Sequence, residues 1–243
     1  MLEIRSLAHS GFAVFTERTC CIFDYYRDSP AGGSFDDGVI DPAALAAWSA
    51  EAAGREIFVF VSHHHRDHWN PVVFTWRQVC PSIHYVLSYD VWTKEEAVRM
   101  KPGQTRNVGG AWVRALKSTD VGVAFLVRVD GRALYHAGDL NWWHWEGEPE
   151  EENRRMERKY KAQVALLKGE KVDLAFLPAD PRQGEDGLRG LLFFLEAVRP
   201  RIAVPMHCWE DAEWFERLRT DPALAPWRDR LRILNRRGSR WAE

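Results

Sequence analysis

Residues 61–71 contain the pattern H-x-H-x-D-H and read Val61-Ser62-His63-His64-His65-Arg66-Asp67-His68-Trp69-Asn70-Pro71. The segment that precedes the histidines, residues 57–61, is continuously apolar, which predicts a strand buried on both faces. If the chain stays extended beyond this strand, His63 and His65 point to the same side, because side chains alternate along a strand. We therefore expect these two imidazoles to share one site at the end of a buried strand.

The rest of the pattern lies in a turn between this strand and a predicted helix. Asp67 and His68 occupy the turn, and Asn70-Pro71 is typical of the N-cap and first residue of a helix that would run to about Val79. Imidazoles and carboxylates are the ligands that zinc, manganese and iron take in proteins. A histidine cluster on the surface is the structural alternative, but a buried strand and a capped helix are the context that a metal motif requires. The sequence therefore predicts a metal site on this loop.

The pattern and its flanking elements resemble the metallo-β-lactamase superfamily, which carries H-x-H-x-D-H after a buried strand. The resemblance implies an α/β fold in which four layers form an αββα sandwich. It also implies that His63 and His65 bind a first metal, and that Asp67 and His68 bind a second. One or two divalent ions would be bound, with zinc expected and manganese or iron as the alternatives.

Two later strand ends supply further ligands that the resemblance implies. A strand predicted at 133–136 is followed by Gly138-Asp139, at the place where the superfamily has a carboxylate that bridges two metals. A strand predicted at 201–204 leads into Pro205-Met206-His207, which resembles the last histidine motif of the superfamily. Considered without the resemblance, Asp139 would be a turn former and His207 a packed core histidine.

The chain departs from the superfamily pattern at one ligand. The superfamily places a histidine about three residues before a glycine that opens a strand, and Thr119 stands there, before Gly122. No histidine occurs between His84 and His136, and a hydroxyl is a poor substitute for an imidazole. Asp120 is the expected replacement, with a turn aspartate that faces solvent as the structural alternative. Otherwise the first site would bind weakly, favour a harder ion such as manganese or iron, or stay empty.

Four further residues are candidates for contact with the substrate or for support of the metal ligands. His9 lies in a His-Ser turn and Asp24 ends a strand, two features in which the chain resembles the branch that includes L-ascorbate-6-phosphate lactonase. Taken alone, each is an ordinary turn or strand-end residue. Trp142, soon after Asp139, either lines a pocket or only packs. Asp180 lies in the loop after a strand predicted at 172–177.

Hydrophobic patterning predicts the remaining elements. The N-terminal segment alternates as an antiparallel meander, and the acidic-then-basic stretch after residue 148 is typical of a solvated amphipathic helix. Residues 94–100 favour at most a short helix, and the apolar residues 231, 233 and 234 indicate a final strand with charged edges.

The composition excludes several classes of protein. The chain has 243 residues, 46% of them hydrophobic, so we expect one metallo-β-lactamase-like domain over residues 1–243. The chain has 33 basic and 35 acidic residues, so it has no excess positive charge that would attract nucleic acid or an anionic membrane. A small-molecule partner is therefore expected. Four irregularly spaced cysteines and an N-terminus without a signal-peptide pattern favour the cytoplasm. The sequence leaves the oligomeric state open.

Together these features predict a metal-dependent hydrolase. A metal-bound hydroxide would attack a carbonyl or phosphoryl group, with Asp67 and Asp139 as the catalytic carboxylates. The resemblance implies a lactone, an ester or a phosphoester of a small molecule as the substrate. The alternative is a catalytically weak or inactive metal- or ligand-binding protein of the same fold, which the missing histidine motivates.

Overall fold

Two mixed β-sheets pack face to face in the computed structural model of the protein, which describes residues 1–29 and 31–243. The first sheet has the order β13-β1-β2-β3-β4-β5-β6 and consists of β1 (Glu3–Ala8), β2 (Gly11–Phe15), β3 (Thr19–Phe23), β4 (Glu56–Val61), β5 (Ile83–Ser88), β6 (Val98–Met100) and β13 (Arg240–Ala242). The second has the order β12-β11-β10-β9-β8-β7 and consists of β7 (Thr105–Val108), β8 (Ala111–Lys117), β9 (Val123–Val129), β10 (Arg132–His136), β11 (Leu174–Pro178) and β12 (Ile202–Met206). Strands β3 to β6 are parallel neighbours, as are β10 to β12, and the other pairs are antiparallel.

Helices accompany both sheets. The α-helices are α1 (Pro42–Ala50), α2 (Glu150–Ala165), α3 (Arg189–Val198) and α4 (Ala212–Thr220), and the 3₁₀ helices are Phe35–Asp37, Pro71–Gln78, Pro181–Leu188 and Pro222–Trp227. The helix after the histidine motif begins as predicted, because the Asn70 side chain accepts a hydrogen bond from the Val72 amide at 3.0 Å. Within the described residues, no helix combines the length and the apolar character needed to cross a bilayer.

Strand β4 contributes to two hydrophobic cores, which explains its unbroken apolar sequence. Phe58 and Phe60 point between the sheets, where the ring of Phe60 lies 5.4 Å from that of Phe125 on the second sheet. Val59 and Val61 belong to the other core, under α1 and the 3₁₀ helix that follows the motif. The strand is therefore buried on both faces, as predicted.

The second sheet carries its own helix layer. Helices α2 and α3 pack against each other, and α3 contacts β11. The ring of Phe194 on α3 stacks at 4.8 Å on that of Tyr135 in β10. The layers are therefore helices, sheet, sheet and helices, which confirms the predicted αββα sandwich.

Two short elements differ from the prediction. Residues 98–100 form strand β6 beside β5 instead of the end of a helix. The final strand is β13, which pairs with β1, whereas Leu231 makes only a single bridge to Ala203. Both strands have three residues, too few for an alternating pattern to be distinguished from other structure.

Candidate metal centre

The histidine motif lies at one edge of the sandwich, where strands from both sheets end. The loop after β4 carries residues 63–68, and the loops after β10, β11 and β12 carry Asp139, Asp180 and His207. The turn after β1 carries His9, and the turn between β8 and β9 carries Asp120. Because parallel strands end at the same edge of a sheet, residues far apart in sequence meet here.

A first group of possible metal ligands consists of His63, His65, Asp120 and Asp139, whose ligand atoms all lie within 4.8 Å of one another. His63 Nε2 lies 3.1 Å from His65 Nδ1 and 3.5 Å from Asp139 Oδ2. His65 Nδ1 lies 3.5 Å from Asp120 Oδ2. Two atoms bound at about 2.1 Å to one tetrahedral ion lie about 3.4 Å apart, so these separations suit a shared ion.

A second group consists of His9, Asp67, His68 and His207, again with ligand atoms within 4.8 Å of one another. Asp67 Oδ2 lies 3.5 Å from His9 Nε2 and 4.0 Å from His68 Nε2. Asp139 Oδ1 lies 3.1 Å from His68 Nε2 and 3.5 Å from His207 Nε2. The two oxygens of Asp139 therefore face different groups, Oδ2 towards the first and Oδ1 towards the second.

Three buried atoms of these groups lack a hydrogen-bond partner within the described residues, namely His9 Nε2, His68 Nε2 and Asp139 Oδ1. His68 Nε2 and Asp139 Oδ1 are close, but they are not aligned as a hydrogen bond. A buried polar atom without a partner costs about 1–3 kcal/mol, and such atoms are rare in folded proteins. Their convergence, together with the imidazole and carboxylate chemistry, fits a divalent metal ion.

Two buried carboxylates each pair with a histidine of the second group. Asp24 Oδ2 lies 2.8 Å from His68 Nδ1, and it also accepts a hydrogen bond of 2.6 Å from the Ser62 hydroxyl. Asp180 Oδ2 lies 2.9 Å from His207 Nδ1. In both pairs the histidine uses Nδ1 for its carboxylate, so Nε2 is directed at the site, which is the usual arrangement behind metal-binding histidines.

The charges of Asp139 and His68 depend on each other. Burial alone would raise the pKa of Asp139, but His68 and His207 hold it well below its ordinary value. Burial alone would lower the pKa of His68, but Asp139 and Asp24 outweigh it and raise that pKa. Asp139 is therefore ionised at neutral pH, as a metal ligand must be.

His63 and His9 have lowered pKa values, so both are neutral at pH 7. Burial lowers the pKa of His63 to about 4 and that of His9 also to about 4. The contact with His9 at 3.5 Å holds the pKa of Asp67 far below its ordinary value. Neutral imidazoles and an ionised carboxylate are the protonation states in which these side chains bind metals.

Thr119 has a structural role. Its hydroxyl donates a hydrogen bond of 2.7 Å to the Asn141 carbonyl and accepts one of 2.9 Å from the Asn141 amide. These bonds tie the turn of residues 118–122 to the loop that carries Asp139. The hydroxyl is therefore occupied, and the neighbouring carboxylate of Asp120 is the group that reaches His65.

Gly122 allows the turn to approach the motif closely. Its φ is +76°, and a Cβ there would lie 2.1 Å from the Ser62 carbonyl oxygen and 2.5 Å from His63 Cβ. Any larger residue would push the turn away from the end of β4.

A cavity of about 370 Å³ opens over the two groups. Trp143, Trp145 and Trp209 form part of its wall, and Asp67, Asp120 and Asp139 reach it from the ligand groups. Trp142 is not among the residues of this wall, so the structure favours packing, the second of its two alternatives. Its ring lies 4.4 Å from Lys161 Nζ and 6.1 Å from the ring of Phe193, because consecutive residues of this loop point in opposite directions.

Sequence reasoning missed the full role of two histidines. His9 was a candidate only for supporting contacts, yet its Nε2 belongs to the second group. His136 is buried, and its ring bonds the Ser10 carbonyl at 2.8 Å and the Gly138 amide at 3.2 Å, which joins the turn of His9 to the loop of Asp139. A single histidine at the end of a strand carries no spacing signal, so His136 could not have been identified in advance.

Several loops at this edge have strained backbone. His9, Asp24 and His207 have φ values of 52°, 45° and 63°, in the left-handed region that non-glycine residues rarely adopt. Such conformations cost of order 1–3 kcal/mol each and cluster at functional sites. Here they direct the side chains towards the site.

Solved structures of other proteins share this fold. The structure resembles that of Igni18, a metallo hydrolase from Ignicoccus hospitalis, with a TM-score of 0.66 and 14% identity over 100% of this chain and 99% of that chain. YhfI of Bacillus subtilis, a metallo-β-lactamase fold protein, gives a TM-score of 0.59 and 12% identity over 99% and 98% of the two chains. Identities this low show the fold alone, and that fold is the metallo-β-lactamase type.

Sequence relatives extend the comparison. The chain is 25% identical to a UPF0173 metal-dependent hydrolase of Heliobacterium modesticaldum over 224 residues, 85% of this chain and 82% of the relative. It is 24% identical to one of Methanosarcina mazei over 239 residues, 91% of this chain and 87% of the relative. No protein-family model matches the chain. The chain therefore has the metallo-β-lactamase fold, and the sequence relatives it resembles are named metal-dependent hydrolases.

Proposed function

We propose that this protein is a metal-dependent hydrolase that acts on a lactone, an ester or a phosphoester of a small molecule. The observation that carries the proposal is Asp139, whose two oxygens face two separate groups of ligand atoms at 3.1–3.5 Å. The names of the sequence relatives, metal-dependent hydrolases, point in the same direction.

The proposal assigns the first group to one ion and the second group to another, with Asp139 shared between them. Zinc is proposed for both, because five of the eight residues in the two groups are histidines, and manganese or iron would suit the first group, in which two of the four are aspartates. A divalent ion supplies, when bound, Lewis-acid polarisation and a water of lowered pKa. The four cysteines, all buried free thiols, are compatible with the reducing cytoplasm that we propose as the location.

Asp67 is the residue that we propose for proton transfer. It lines the cavity, a third of its side chain is exposed, and the contact with His9 at 3.5 Å keeps it ionised. An ionised carboxylate at the wall of the cavity can orient an attacking water and accept its proton. Trp143, Trp145 and Trp209 form the apolar wall that limits the access of other water.

A catalytically inactive binding protein of the same fold is the alternative, and the missing histidine at Thr119 is its only motivation. In place of the imidazole that the superfamily has near Thr119, Asp120 offers a carboxylate oxygen 3.5 Å from His65 Nδ1. The observations therefore do not favour the alternative.

Metal analysis and a hydrolysis panel test the proposal. Mass spectrometry on protein purified without added metal is expected to find up to two ions per chain. A panel of lactones, esters and phosphodiesters should include a substrate whose hydrolysis stops with a chelator and returns with the metal. Bound metal without any metal-dependent turnover would establish the inactive alternative, and protein that binds no metal would reject both.

Asp120→Ala tests the replacement of the missing histidine. The variant is expected to lose the ion of the first group and to keep the ion of the second, because Asp120 contacts only the first group. Metal stoichiometry by mass spectrometry measures the change. Asp229→Ala, which removes another exposed aspartate, is the matched control and should keep the full content. Equal stoichiometry and affinity in Asp120→Ala and the native protein would show that Asp120 only shapes the turn.

A further inference from the structure

Arg182 is the one lysine or arginine among the described residues that line the cavity. It lies in the 3₁₀ helix Pro181–Leu188, which Asp180 caps after β11, and half of its side chain is exposed. Hydrogen bonds with Asp180 raise its pKa, and the negative charges of Asp139 and Asp67 act in the same direction. Arg182 therefore places a permanent positive charge on the wall of the cavity, where it interacts with the carboxylates of the two ligand groups.

One edge of the Arg182 guanidinium is fixed and the other is free. Nε lies 3.0 Å from both oxygens of Asp180, and Nη2 lies 2.6 Å from Oδ2. Within the described residues, Nη1 has no hydrogen-bond acceptor. Because the guanidinium is a rigid planar fork, pairing through Nε and Nη2 leaves the edge of Nη1 and Nη2 available for a second anion.

The Arg182 guanidinium is not the only hydrogen-bond partner of the Asp180 carboxylate. This carboxylate is fully buried and also contacts His207 Nδ1 at 2.9 Å and the Trp209 indole nitrogen at 3.3 Å, and its Oδ1 accepts a hydrogen bond from the Arg182 amide at 2.9 Å. The guanidinium carbon also lies 4.5 Å from the ring of Trp209, which fixes its plane from one side. Pairing and stacking hold the free edge in a single orientation, which an ion pair alone would not require.

One part of the wall is apolar. The rings of Trp143 and Trp145 are parallel, 5.9 Å apart at an angle of 3°, and Met156 lies on the same wall. Flat indole surfaces favour flat apolar groups. A volume of about 370 Å³ is at the small end of ligand cavities, which measure roughly 300–1,000 Å³.

We propose that the cavity selects small molecules that carry a flat apolar group beside an anionic one, a carboxylate or a phosphate. Arg182 binds the anionic group through its free edge, and Trp143, Trp145 and Met156 contact the apolar group. The inference names the substrate class of the hydrolase proposed above, and so it depends on that function for its catalytic meaning. Arg182 is then a specificity-determining residue.

The test is the binding of benzoate, phenyl phosphate and benzyl alcohol to the metal-loaded protein by calorimetry. In Arg182→Gln, the dissociation constant of at least one anionic ligand is expected to rise at least about ten-fold more than that of the neutral alcohol. The anion that loses more affinity identifies the carboxylate or the phosphate as the better match. Arg182→Lys keeps the charge but loses the fork, and is expected to weaken the same anion at least about three-fold.

Arg189→Gln is the matched control. Arg189 also pairs with an aspartate, Asp186, and lies 5.8 Å from a tryptophan ring, that of Trp142, but it is outside the cavity. This variant should bind all three ligands as the native protein does. Anion affinity that is unchanged in Arg182→Gln, or that falls equally for the anions and the alcohol, overturns the inference.

The two proposals can fail separately, because ligand binding is measured without turnover. If no substrate is hydrolysed but Arg182→Gln loses its preference for anions, the hydrolase proposal falls and the binding proposal stands. If metal-dependent hydrolysis occurs but anion binding is indifferent to Arg182, only the present inference falls. Metal content measured on each variant detects any indirect effect through Asp180 and His207.

Discussion

Asp139→Asn is expected to lower metal-dependent hydrolysis by at least about 100-fold. The amide keeps one oxygen, whereas the carboxylate directs Oδ2 at the first group and Oδ1 at the second. It also removes the negative charge that His68 and His207 stabilise. The measurement is kcat/KM on the best substrate of the panel at saturating metal, with metal stoichiometry on the same preparation.

Asp186→Asn is the control for this variant. Asp186 lies in the 3₁₀ helix Pro181–Leu188 and pairs with Arg189, but it belongs to neither ligand group. Its replacement should leave kcat/KM within about two-fold, as surface changes usually do. Turnover by Asp139→Asn close to that of the native protein would count against a shared carboxylate at the centre of the site.

Asp24→Asn is expected to weaken metal binding by roughly 10- to 100-fold without any change in the ligands themselves. The Nδ1 atom of His68 faces Asp24 Oδ2 at 2.8 Å, and this contact keeps the ring hydrogen on Nδ1. An amide NH₂ in place of that oxygen favours the other tautomer, in which Nε2 carries the hydrogen and cannot bind a metal. Competition with a chelator of known affinity measures the change.

Asp173→Asn provides a matched loss of a buried carboxylate. Asp173 precedes β11 at its other end and accepts a hydrogen bond of 2.9 Å from the Ala133 amide. This variant should lose stability but keep its metal affinity. If the two variants lose affinity equally, general destabilisation explains the effect and the orienting role of Asp24 is wrong.

Local sequence was sufficient for the parts of the fold that are decided locally. The apolar run of β4 and the Asn70 cap each depend on neighbouring residues, and both are present in the structure. The αββα sandwich was predicted from the resemblance to the metallo-β-lactamase superfamily, because hydrophobic periodicity does not show which strands are neighbours in a sheet. Asp139 and His207 were likewise proposed from motif position, because each alone is an ordinary residue at the end of a strand.

Other features depend on contacts that no local pattern encodes. Whether Trp142 or Trp143 faces the cavity is set by how the loop after β10 turns, and spacing cannot show this. His9 reaches the second group through a left-handed backbone, which sequence does not indicate at a histidine. The pairing of Arg182 with Asp180 is local, but its place in the wall beside Trp209 depends on the loop after β12.

The residues of each ligand group are far apart in the sequence, and this affects when each group is completed during synthesis of the chain. His63 and His65 are synthesised well before Asp120 and Asp139, and His9, Asp67 and His68 long before His207. A ribosome that has just completed the motif loop after β4 has therefore produced four of the five imidazoles but neither group in full. The last ligand joins only when β12 has been added to the edge of the second sheet. The ion of the second group would thus enter a nearly finished chain instead of guiding its first folding steps.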